Sequence, residues 1–106
     1  MDVVIKIVLP TRATVTPVGK LADAELLFNG GLLAGTKLVG FGIWSRSGAE
    51  ISVSLPSRNY EVAGEKRSYA LLRPVEDIER IDDIKAQIIK AFREVVGATA
   101  DPMRGA

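Results

Sequence analysis

One stretch of this chain reads as a clear helix. In "VEDIERIDDIKAQIIKAFREVV", residues 75–96, Ile81, Ile84, Ile88, Phe92 and Val95 recur three or four apart and make one apolar stripe. Glu76, Asp77, Glu79, Asp82 and Asp83 gather at its start, while Lys90 and Arg93 lie towards its end. That order of charge complements the helix dipole. Gly97 occupies the place of a C′ stop, which leaves 98–106 as an expected flexible tail. Everything before the helix carries strand or turn patterning. Several strands followed by one amphipathic helix predict an α+β fold, with the helix packed on one face of an antiparallel sheet.

The strands can be placed one by one. "VVIKIVL", residues 3–9, is β-branched, too short for a free helix, and ended by Pro10. "PTRATVTPVG" carries two prolines and reads as a turn or an irregular edge. "KLADAELLF", residues 20–28, fits both periods: Leu21, Ala24 and Phe28 at helical spacing, and Ala22, Ala24, Leu26 and Phe28 in alternation. Asn29-Gly30-Gly31 follows directly with hairpin-turn chemistry, so a strand is expected there. "TKLVGFGIW", residues 36–44, sets Val39, Phe41 and Ile43 on one face and Leu38, Gly40, Gly42 and Trp44 on the other. Two glycines on one strand face mark a bulge or a close approach; a helix packing across bare backbone is favoured over a ligand seat. After the tight turn "SRSG", "AEISVSL" points Ile51, Val53 and Leu55 inward and Glu50, Ser52 and Ser54 outward, and Pro56 ends it. Ser68 to Leu72 forms a further strand, closed by Arg73-Pro74. The expectation is a single domain over 1–97, with four to five strands and one long C-terminal helix.

Size and composition bound the partners. A chain of 106 residues is one small domain, which buries roughly 65% of its unfolded surface. Its aromatics are Phe28, Phe41, Trp44, Tyr60, Tyr69 and Phe92, so aliphatic side chains build most of the core. One helix covers only part of such a sheet, and open edges invite pairing, so a homodimer is expected. The 14 basic and 13 acidic residues leave a net charge of +1, far from the strongly basic balance of many nucleic-acid-binding domains. A dimer can still segregate that charge onto one face.

The chain has neither cysteine nor histidine. Disulfides, thiol nucleophiles, imidazole bases and the usual zinc ligands are thereby removed together. The paired carboxylates Glu76-Asp77 and Asp82-Asp83 are adjacent on a helix, do not share a face, and are explained by the helix start. The glycines at 30, 31, 35, 40 and 42 spell neither a Walker loop nor a dinucleotide fingerprint. No enzyme activity, metal or cofactor is expected. No apolar run is long enough to span a membrane and the start "MDVVIKIVLP" lacks signal-peptide features, so a cytoplasmic protein is expected.

The stretch "SLPSRNYEVAGEKRSYALL", residues 54–72, reads as a hairpin with charge at its tip. Arg58, Lys66 and Arg67 there can straddle a phosphate backbone, with Ser57, Asn59 and Tyr60 as neutral donors. Tyr60 can also stack on an unpaired base. In the structural alternative, Glu61 and Glu65 neutralise the cluster and the loop is merely solvated.

"AEISVSLPSRNYEVAGEKRSYALLRP", followed by the helix "IDDIKAQIIKAFREV", resembles the SpoVG family of small bacterial proteins, named for stage V sporulation. Pro56-Ser57-Arg58, Gly64 and Pro74 match the family's order of a Pro-Ser-basic motif, a turn ending in Gly, a strand, a proline and an amphipathic helix. The resemblance can be traced from about Met1 to Val96 and is tightest from residue 49 onwards. It implies an α+β homodimer that binds DNA or RNA in a regulatory role. Arg58, Lys66 and Arg67 would be the first contacts, Lys90 and Arg93 the second, with Pro56, Ser57, Gly64 and Pro74 shaping the turns. The segment after Pro74 is longer and more acidic than the family pattern, and acidic groups there repel a phosphate backbone. From another class, the alternative is a dimeric protein-interaction or scaffold module that binds no nucleic acid.

Overall fold

Alternation in the first half of the chain becomes a four-stranded antiparallel meander. The computed structural model describes residues 2–11, 17–46 and 50–105, with side chains through residue 97. Strands β1 (Val3–Val8), β2 (Lys20–Phe28), β3 (Lys37–Ser45) and β4 (Ile51–Ser54) lie in the order β1-β2-β3-β4. A second, two-stranded sheet pairs β5 (Ser57–Val62) with β6 (Glu65–Ala70), and the helix α1 (Glu79–Gly105) follows. The α+β class is therefore as expected, with four strands in the main sheet. The irregular edge expected after Pro10 and the turn expected at "SRSG" fall largely on 12–16 and 47–49, outside the described residues.

The period-2 pattern selects the core. Val3, Ile5 and Ile7 pair with Phe28, Leu26 and Ala24 across β1 and β2, and all six belong to or pack against the buried cluster. Ala22, Ala24, Leu26, Phe41, Ile43 and Val53 from the sheet meet Ile88 and Phe92 from α1. Phe41, Ile43 and Ile88 are fully buried, and each such side chain contributes about 1.5–3 kcal/mol. The helix lies against β1 and β4, the two edge strands. Asp77 caps it: the Asp77 carboxylate accepts the Glu79 backbone N–H at 3.0 Å, and Glu79 and Asp82 occupy the first turn. The crowding of acids at this end is thus a helix-start feature.

Three sequence expectations need correction. Leu38, not Val39, shares the inward face with Phe41 and Ile43. The register steps from Ala24↔Phe41 to Leu26↔Leu38, so β3 carries one extra residue, and Val39 is exposed. Gly40 sits in this bulge with φ of +110°, a backbone state that disfavours any side chain. Second, what crosses the bare backbone of Gly40 and Gly42 is not the helix. A Cβ on Gly40 would meet Pro56 at 3.1 Å, and one on Gly42 would meet the Trp44 indole nitrogen at 2.6 Å and the Ser54 hydroxyl at 2.8 Å. Third, Gly97 does not stop the helix, which runs through it to Gly105. A C′ glycine adopts the left-handed conformation, and Gly97 is not among the positive-φ glycines. The flexibility expected of 98–106 concerns residues outside those described in full.

Candidate nucleic-acid interface

The expected charged tip is itself a β-ribbon. Pro56 is buried against β3, and its carbonyl accepts the Leu71 backbone N–H at 2.8 Å, closing the ribbon's base. From there the register runs unbroken from Ser57↔Ala70 to Val62↔Glu65. Two residues remain for the turn, Ala63 with φ of +52° and Gly64 with φ of +83°. Positive φ at both central positions is the type I′ geometry that matches strand twist. At about 3.3 Å per residue, each six-residue strand makes the ribbon about 20 Å long.

Because side chains alternate, the register sorts the ribbon residues onto two unlike faces. One face carries Arg58 opposite Tyr69, Tyr60 opposite Arg67, and Val62 opposite Glu65. The other carries Ser57, Asn59, Glu61, Lys66, Ser68 and Ala70. The structure therefore brings Arg58 and Arg67 together and separates Lys66 from both. Lys66 instead stands opposite Glu61.

The Arg-bearing face has internal order. Tyr60 and Tyr69 meet edge to face, with ring centroids 5.6 Å apart and planes at 61°. The Arg73 guanidinium stands 5.2 Å from the Tyr69 ring centroid, and its Nε donates to the Ala70 carbonyl at 2.9 Å. Arg67 contacts Glu65 at 3.1 Å, but both side chains are more than half exposed. Such surface pairs are worth only about 0–1 kcal/mol and yield readily to a competing anion.

Lys90 and Arg93 are exposed neighbours on α1, an element whose main contacts are with β1 and β4. They form a second basic point, on an element other than the ribbon. Ser57 is the first, exposed residue of the ribbon, and Pro74 lies half-buried between the ribbon and the helix. Tyr69 and Arg73 belong to the site although charge clustering alone did not single them out. Alternation about the Ala63-Gly64 turn is the signal that groups Tyr69 with Arg58, Tyr60 and Arg67.

Among the described residues, no group of three or more Asp, Glu, Cys or His is placed to hold a metal. Among the same residues, no helix is long and apolar enough to cross a membrane, and no polar or charged residue is buried. No family model matches the chain, and neither does a curated protein or a solved structure.

Proposed function

We propose that the protein is a small, non-enzymatic nucleic-acid-binding regulator, SpoVG-like and cytoplasmic, that acts as a homodimer. One observation carries this: Arg58 and Arg67 stand together on an exposed ribbon face with Tyr60 and Tyr69 between them. Cations supply affinity for a phosphate backbone, and the aromatic rings supply contact area for the rest of the nucleotide. The ordered run Pro56-Ser57-Arg58, Gly64, Pro74 and the amphipathic helix supports the likeness to the family. Exposed Val4, Val8 and Val39 on the sheet face away from α1, and the open edges of β1 and β4, support self-association.

Fluorescence anisotropy with labelled DNA and RNA at low salt tests the proposal. Binding that Arg58→Glu with Arg67→Glu removes is the expected result. Absence of binding would favour a second reading, a dimeric protein-interaction module. Glu61 and Glu65 on the ribbon, which offset much of its positive charge, are the observation that favours it. Light scattering behind size exclusion tests the dimer, and a clean monomer at micromolar concentration would overturn that part.

A further inference from the structure

We infer that the Tyr60–Tyr69 face of the ribbon is a stacking platform for unpaired bases, so that the partner is single-stranded nucleic acid rather than duplex. This rests on the nucleic-acid reading above and gives it a substrate class. The two tyrosines and two arginines alternate as a chequerboard: Arg58 faces Tyr69, and Tyr60 faces Arg67. Same-face positions along a strand are about 7 Å apart, so each ring has a cation beside it and another diagonal ring within 5.6 Å. Tyr60 is 41% exposed and Tyr69 37%, on a ribbon whose residues 57–69 are all exposed. Arg73 holds Tyr69 from one side, which leaves the more exposed Tyr60 ring as the principal stacking surface.

The competing geometry is duplex readout. A two-stranded ribbon fits the major groove of B-DNA, where arginine reads guanine edges. Bases in a duplex are already stacked on one another, so both tyrosine rings would lack a stacking partner there. On an unpaired strand each ring gains one, and the neighbouring arginines meet the phosphates. The opposite ribbon face carries no aromatic residue and is not a platform.

The test uses the full chain and three labelled probes at equal salt: a thymine strand of about 12 nucleotides, an abasic strand of the same length, and a duplex. The thymine strand is expected to bind about 5- to 100-fold tighter than the abasic strand, and tighter than the duplex. This comparison needs no variant and so does not depend on any substitution folding. Tyr60→Ala is expected to remove the difference between thymine and abasic strands, and Tyr60→Phe to keep it. Ser68→Ala, on the other face, is expected to leave it unchanged. Equal binding of the thymine and abasic strands, or tighter binding of the duplex, overturns the platform while leaving the phosphate grip intact. No binding to any probe overturns both.

Discussion

Pro56 lies directly over Gly40, so that a single methyl group on the glycine would stand 3.1 Å from the proline Cβ and 3.4 Å from its Cα. The contact ties the β3 bulge to the start of the ribbon. Gly40 also has φ of +110°, which side chains rarely adopt. Gly40→Ala combines both penalties, and a loss of about 1–3 kcal/mol is expected. A urea titration measures it. Hydrogen exchange should show the ribbon amides losing protection together with those of β3. An unchanged midpoint would mean that the bulge relaxes freely and does not anchor the ribbon.

The ribbon turn is less than ideal. Ala63 holds φ of +52°, where an alanine pays about 1–2 kcal/mol relative to the right-handed region. Asparagine tolerates that conformation, and Asn-Gly is the preferred type I′ pair. Ala63→Asn should therefore stabilise the ribbon by about 0.5–1 kcal/mol, read as slower exchange of the β5 and β6 amides. Faster exchange would contradict the turn assignment.

The helix makes two separable contributions. Asp77→Ala removes the cap on the Glu79 N–H and should cost about 0.5–2 kcal/mol. Ile88→Ala opens a hole among fully buried neighbours and should cost about 2–5 kcal/mol. Thermal unfolding of both variants should rank them in that order. The reverse ranking would place the helix differently on the sheet.

These contacts also explain which parts of the structure were legible in the sequence. β1, β2 and β4 follow from alternation and from Pro10, Asn29-Gly30 and Pro56, because strand period and breaker residues are local properties. The α1 stripe is equally local, and Asp77 reads as a helix-start acid before its partner is known. Alternation puts Val39 in the place of Leu38 on the inward face of β3, because a bulge depends on the partner strand and on Pro56, sixteen residues from Gly40 along the chain. The hairpin over 54–72 was legible, but its register was not, because Ala63-Gly64 lacks the Asn-Gly or Asp-Gly signature that fixes a two-residue turn. A turn ending at Gly64 does not by itself fix which residues share a face, so charge alone groups Lys66 with Arg58 and Arg67. The register sets it on the opposite face. Gly97 misled for a related reason, since glycine permits a stop without requiring one.

Salt dependence of binding tests the central claim, that the Tyr–Arg face of the ribbon grips a phosphate backbone. Each phosphate contact to a single strand contributes about 0.7 to the slope of log affinity against log salt. Arg58→Glu with Arg67→Glu should weaken binding to every strand and lower that slope by about 1.4. Lys90→Glu with Arg93→Glu, on a separate element, should weaken it less. Unchanged affinity and slope in the Arg58/Arg67 variant, or no binding by the unaltered protein at low salt, would contradict the ribbon as the nucleic-acid interface.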